Sequence, residues 1–199
     1  KIRGYRDADE KWRASLIEAA KIAIKQINYP KALTFLEQLP VEDEEAAALY
    51  RDCTYYPAVN ASVRGDYEEA IALFEKIPDH RDSAEQITKC RYDWAGALFD
   101  AGDFAQAETL YTALGEYADA ADKLTAVRYA KAEAALAAGD TQSIDQAAAL
   151  FAELGEYGES AAKLLDAFAP GAALAVAFIR LSSLFNNSCR SKIIFQTPA

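Results

Sequence analysis

The sequence predicts an all-α fold, a solenoid of antiparallel helix pairs. Three observations carry that expectation. Ala occurs 43 times in 199 residues, about a fifth of the chain, against only 9 Gly and 6 Pro. Ala is the best helix former, and Gly and Pro are the worst. A block of sequence recurs at a fixed interval of 37 residues. Within each copy the apolar residues fall on one face of a helix.

The repeat orders the elements. Gly65-Asp66-Tyr67-Glu68-Glu69-Ala70-Ile71-Ala72-Leu73-Phe74 returns as Gly102-Asp103-Phe104-Ala105-Gln106-Ala107-Glu108-Thr109-Leu110-Tyr111. It returns again from Gly139-Asp140, with three extra residues before Gln146-Ala147-Ala148-Ala149-Leu150-Phe151. A second block follows each first one: Pro78-Asp79-His80-Arg81-Asp82-Ser83-Ala84, Gly115-Glu116-Tyr117-Ala118-Asp119-Ala120-Ala121, and Gly155-Glu156-Tyr157-Gly158-Glu159-Ser160-Ala161. Two further copies are degraded. Ile27-Asn28-Tyr29-Pro30-Lys31-Ala32 has Ile27 where the Gly belongs, and Gly4-Tyr5-Arg6-Asp7-Ala8 reads as a second block alone. With no Met even at position 1, the chain reads as part of a longer array.

Each copy is expected to form a short helix of about 12 residues and a long one of about 20. Ala70, Leu73, Phe74 and Ile77 make the apolar stripe of the short helix. Asp66 with Glu69, and Asp103 with Gln106, mark its start as capping pairs. Asp82 with Glu85, Asp119 with Asp122, and Asp7 with Glu10 do the same for the long helix. Gly65, Gly102 and Gly139 stop it. Pro57 falls inside one long helix and should kink it or split it near Tyr56. A lone pair cannot bury its stripe, so neighbouring pairs must stack.

The stretch Arg91–Leu114 resembles a tetratricopeptide repeat. With Gly102-Asp103-Phe104 on that family's turn, Ala95 and Ala107 take its small packing positions and Tyr111 its second-helix aromatic. Gly139, Ala132 and Ala147 match in the next copy. The period of 37 departs from the family's 34, and its closing Pro is replaced. The chain is similar to divergent bacterial repeats with Gly-Asp-Tyr-x-x-Ala followed by Leu-Gly-x-Tyr-x-Asp-Ser-Ala, over roughly residues 5–168. The resemblance implies a right-handed superhelix over 1–168 and a non-catalytic scaffold or adaptor that binds a protein or peptide on its concave face. It places Asp52, Tyr55, Tyr56, Val59, Ser62 and Val63 on that face, then Lys89, Tyr92, Asp93, Gly96, Phe99 and Asp100, then Ala126, Tyr129, Ala130, Glu133, Leu136 and Ala137. Tyr55, Tyr92 and Tyr129 stand 37 apart. Such a ladder suits either a groove with one phenol per repeat or a packing position between repeats.

Composition narrows the function. Net charge is −10, from 21 basic and 31 acidic residues, with a pI near 4.7. An acidic chain argues against nucleic acid, whose binders carry a basic face. It favours a basic or amphipathic partner. A spacer within a longer protein is the second class, and a nucleic-acid-binding helical repeat the third. The one His, His80, stands in register with Tyr117 and Tyr157 and reads as a packing ring rather than a catalytic base. Metal-ligand spacings and phosphate-binding glycine motifs are absent, so no cofactor or metal is expected. Cys53 and Cys90 are 37 apart and read as one small buried position repeated. With Cys189 they make no disulfide framework, which favours a reducing, cytoplasmic compartment, though so few cysteines also fit an exported all-helical protein. Arg91 and Arg128 form a parallel ladder, read as a solvated or carboxylate-paired face.

No signal peptide or membrane span is expected. Residues 169–199 differ from the rest. The chain up to Asp166 carries 18 basic and 31 acidic residues, whereas 167–199 carry only Arg180, Arg190 and Lys192. Leu174, Phe178, Leu181 and Phe185 share a helical face within Ala172–Phe185. Three roles fit this segment. It covers an open end of the array, it docks into a groove of its own or a second chain, or it is foreign to the repeats.

Overall fold

The computed structural model describes residues 7–167, and every regular element among them is helical. Nine helices follow in chain order: α1 (Ala8–Lys25), α2 (Tyr29–Leu36), α3 (Glu44–Arg64), α4 (Tyr67–Phe74), α5 (Ser83–Asp100), α6 (Phe104–Leu114), α7 (Ala120–Ala138), α8 (Thr141–Leu154) and α9 (Ser160–Ala167). The expected helix over 172–185, the partial repeat at 4–6 and Cys189 lie outside the described residues.

The described chain falls into two compact units. One comprises residues 7–102 with 109–115, and the other 103–108 with 116–167. In the first, α1 packs on α2, α2 on α3, α3 on α4 and α4 on α5. In the second, α7 packs on α8 and α8 on α9. Neighbours in sequence are therefore neighbours in space, as short connections dictate.

Part of the alanine content occupies two repeating buried positions. Ala20, Ala58, Ala95 and Ala132 on the long helices are fully buried, as are Ala32, Ala70, Ala107 and Ala147 on the short ones. A methyl group at such a position lets two helix axes approach closely. One turn further along each short helix the buried residue is large: Leu36, Phe74, Tyr111 and Phe151. Small and large buried side chains thus alternate along each short helix.

Long helices end as the glycines require. Gly65 (φ 83°), Gly102 (φ 81°) and Gly139 (φ 76°) adopt the left-handed conformation. After α3, the Asp66 N–H donates to the Ala61 carbonyl at 2.9 Å and the Gly65 N–H to Ser62 at 3.1 Å. After α1 the same two bonds form, from Asn28 to Ala23 and from Ile27 to Ile24, each 2.9 Å. There the left-handed residue is Ile27 (φ 56°), a β-branched side chain at a glycine's position.

The helix starts correct the expected capping. Asp103 does accept the Gln106 N–H at 3.1 Å. The Gln106 side chain, however, donates to the Asp103 carboxylate at 2.6 Å instead of reaching a backbone group. Asp7, Asp66, Asp82 and Asp119 stand at helix starts without a side-chain cap bond. Asp66 is held instead by Arg64 at 2.8 Å. Other side chains do cap helix starts. Asn28 accepts from Lys31 N (3.2 Å), Asp43 from Ala46 N (3.1 Å) and Asp140 from Ser143 N (3.0 Å).

Pro57 does not split its helix. α3 runs unbroken for 21 residues through it. Proline removes one backbone bond and crowds the carbonyl four residues back. Cys53, Thr54, Ala58 and Ala61, on either side of it, are all buried and hold the helix across the defect.

Candidate functional site

Each tyrosine of the ladder is half-buried and packs on a neighbouring ring. Tyr55 meets Phe74 edge-on at 5.8 Å, Tyr92 meets Tyr111 at 5.8 Å, and Tyr129 meets Phe151 at 5.8 Å. Each long-helix tyrosine thus rests on the large aromatic of the short helix that follows it. Edge-to-face contact at this spacing is favourable beyond simple burial. The three-residue insertion before Gln146 leaves this contact unchanged.

A second ring reaches the same tyrosines from the loop beyond the short helix. His80 packs edge-on against Tyr55 at 5.7 Å, and Tyr157 against Tyr129 at 5.7 Å. His80 and Tyr157 therefore do one job at one register, as the sequence reading expects. His80 Nε2 lies 3.0 Å from Asp52 Oδ1 and 3.1 Å from Arg81 Nε. No Ser, Thr or Cys side chain bonds that nitrogen among the described residues.

In the first unit these contacts grow into a polar and aromatic cluster. The Tyr55 hydroxyl donates to Asp82 Oδ1 at 2.6 Å. That bond pushes the Tyr55 phenol above its ordinary range. Gln86, then Tyr55, hold Asp82 below the usual carboxylate range by bonding its charged form. The Arg81 guanidinium lies 5.1 Å over the Tyr55 ring and 5.6 Å over Tyr56, and its Nη2 bonds Asp52 at 2.9 Å. Tyr56 stacks on Tyr29 at 6.0 Å and keeps 42% exposure. Val63, two turns on along α3, is 84% exposed, with half-buried Val59 between them. Of the aromatic and aliphatic residues expected on the concave face, Tyr56 and Val63 are the exposed ones on α3.

The remaining candidates are engaged in pairs. Lys89 bonds Asp93 one turn away at 2.6 Å. Phe99 is half-buried on the last turns of α5. In the second unit Glu133 pairs with Lys163, whose ammonium also lies 5.4 Å over Tyr129. Glu133 holds Lys163 above its ordinary pKa. The arginine ladder is carboxylate-paired, Arg91 with Glu75 at 3.0 Å and Arg128 with Glu108 at 2.9 Å.

A cleft of about 510 Å³ lies beside the cluster, between the loop after α2 and the loop after α4. Its lining is mixed, with Leu36, Leu39, Ile77 and Tyr50 beside Arg51, Lys76, Asp79 and His80. Tyr29 and Arg81 join the site only in three dimensions: Tyr29 keeps the register of Tyr67 and Phe104, whereas Arg81 aligns with Ala118 and Gly158 and has no counterpart in the other copies.

Cys53 and Cys90 are fully buried free thiols. Burial, with the charge of Asp52, pushes the Cys53 thiol up to about 11. A thiol so disposed is a poor nucleophile. Among the described residues, no group of three His, Cys, Asp or Glu side chains is placed to hold a metal ion. No described helix is long and apolar enough to cross a membrane. Compared with known proteins, the chain matches no family model, no curated protein and no solved structure.

Proposed function

We propose that this chain is a right-handed α-solenoid of tetratricopeptide-like helix pairs acting as a non-catalytic scaffold that binds a protein or peptide. The observation that carries this is the apolar strip on α3. Tyr56 and Val63 stay open to solvent, whereas Tyr55, Tyr92 and Tyr129 are half-buried against neighbouring rings. Rigid aromatic surface beside charged groups is what peptide recognition uses. The net charge of −10 favours a basic or amphipathic segment as the partner and disfavours nucleic acid.

Packing of Tyr55, Tyr92 and Tyr129 favours a second reading, repeats that serve as a spacer. Removing Tyr92 or Tyr129 opens the core and reports stability, not binding. Tyr56→Ala/Val63→Asp changes the two exposed residues of the strip, Tyr56 giving up in addition its contacts with Tyr29 and Arg81, so a thermal melt of the variant accompanies the titration. Labelled basic amphipathic peptides of about 15 residues, titrated against both proteins by fluorescence anisotropy, separate the two readings. A scaffold gives at least one micromolar binder that the double variant weakens about tenfold or more, a change of about 1.4 kcal/mol. Equal binding by both proteins, or none by either, refutes the α3 assignment and leaves the spacer.

A further inference from the structure

The cleft of about 510 Å³ has a counterpart one helix pair earlier, a cleft of about 680 Å³. Tyr50, Arg51, Lys76 and Ile77 line the first. Trp12, Arg13, Gln38 and Leu39, each 38 positions earlier in the chain, line the second. The two differ in charge. Arg13 is held by Asp43 at 2.8 Å and Glu45 at 3.1 Å, and Asp9 and Glu10 share its lining. Arg51 makes no such pair. The carboxylate in the matching place is Asp82, which starts α5 as Asp43 starts α3, and it is taken by Tyr55 at 2.6 Å and Gln86 at 2.8 Å. Arg13, Arg64, Arg81, Arg91 and Arg128 are all carboxylate-paired, so among the described arginines Arg51 alone keeps its guanidinium free. Lys76 is likewise without an ion pair among the described residues. Its register holds Gln38, Ala113 and Glu153 in the other copies. Val41 also departs from the pattern. It lines the cleft with 90% exposure, where Asp79, Glu116 and Glu156 fill its place in the later copies.

From these departures we infer that the cleft binds a small organic monocarboxylate with an apolar body. Buried Leu39 and Ile77 and half-buried Tyr50 form its apolar wall, and Val41 is the side chain that an occupant covers. Arg51 and Lys76 supply positive charge for the carboxylate, and a guanidinium can hold both of its oxygens at once. The volume lies within the range of about 300–1,000 Å³ of small-molecule sites, which pair an apolar lining with a few placed polar groups. Glu37 and Asp79 line the cleft too. They oppose a second negative charge, so the occupant carries one carboxylate and not the phosphates of a nucleotide. His80 is already engaged by Asp52 and Arg81. Tyr56, five residues past Arg51, points about 140° away around α3. The cleft is therefore separate from the strip of Tyr56 and Val63 and is independent of what that strip binds.

The test titrates the isotope-labelled full chain with phenylbutanoate and with octanoate, each beside its uncharged primary amide, and follows backbone amide shifts by NMR. At least one acid is expected to give saturable shifts at Val41, Arg51 and Ile77, with a Kd below about 1 mM. Its amide binds about tenfold more weakly or worse, and Arg51→Gln weakens the acid by a similar factor. Arg51 is exposed and bonds nothing among the described residues, so this variant keeps the fold, which unchanged shifts elsewhere report. No saturable binding by either acid overturns the inference. So does equal binding of acid and amide, a set of shifts confined to other residues, or an acid held as tightly by Arg51→Gln.

Discussion

Ile27 shows what one side chain can cost. It occupies the left-handed position that ends α1, with φ 56° and 72% of its surface exposed. Its side chain therefore gains little from burial, while its Cβ makes the backbone conformation costly by about 1–2 kcal/mol. Both hydrogen bonds of the helix stop are in place, so glycine could keep them. Ile27→Gly is expected to raise Tm by about 2–4 °C in a thermal melt. A lower Tm would mean that Ile27 makes a contact that offsets the strain. The loop register of Arg81 (φ 54°), Ala118 (φ 49°) and Gly158 (φ 56°) demands the same conformation. Only at 158 is it met by glycine, where an added Cβ would also come within 3.3 Å of Tyr129.

At the scale of the element, the question is why α3 is continuous. Proline in a helix interior costs about 3 kcal/mol relative to alanine. Here flanking burial outweighs it, with Cys53 and Thr54 on one side and Ala58 and Ala61 on the other. The cost is still present in the folded state, so Pro57→Ala should stabilise the chain. The expected gain is about 1–2 kcal/mol by denaturant titration, reduced from the full figure because proline also restricts the unfolded chain. A loss instead would show that the proline's shape positions Tyr55 and Tyr56 for the aromatic cluster. The long helices also carry their own ties. Arg13 of α1 bonds Asp43 at the start of α3, with its Nη2 at 2.8 Å, and Glu45 at 3.1 Å.

For the whole molecule, the abundant carboxylates set the response to acid. Arg13 and the Ala46 N–H hold Asp43 at about 2, against an ordinary 3.8. Lys21 and Arg13 lower Glu45, Lys131 and Arg128 lower Glu108, and Ser143 lowers Asp140. Each carboxyl loses its proton more readily in the folded chain than in the unfolded one. Their stabilisation is therefore complete above pH 4 to 5 and is lost as pH falls toward 2. Tm should be flat from pH 7 to 5 and fall steeply below 4. In Arg13→Gln the plateau Tm drops and the fall between pH 4 and 2 becomes shallower, because Asp43 no longer contributes to it. Parallel curves for the two proteins would show that the Arg13 bond has no weight in acid stability.

Read by itself, the sequence determined the helices, their pairing and their stops. These follow from local rules: a 37-residue repeat, apolar spacing, and glycines where a left-handed residue is needed. It also determined that His80 belongs to a packing register, because Tyr117 and Tyr157 fill the same place. Only the tertiary structure decided which way the tyrosine ladder faces. A 37-residue spacing gives the same periodicity whether a ring points at a partner or at Phe74, Tyr111 and Phe151. Three-dimensional contacts likewise decided that Asp82 serves Tyr55 and Gln86 instead of a helix cap, and that α3 survives Pro57. In each case the deciding partners lie 19 to 27 positions away in sequence, or in the packing of the core, beyond the reach of local rules.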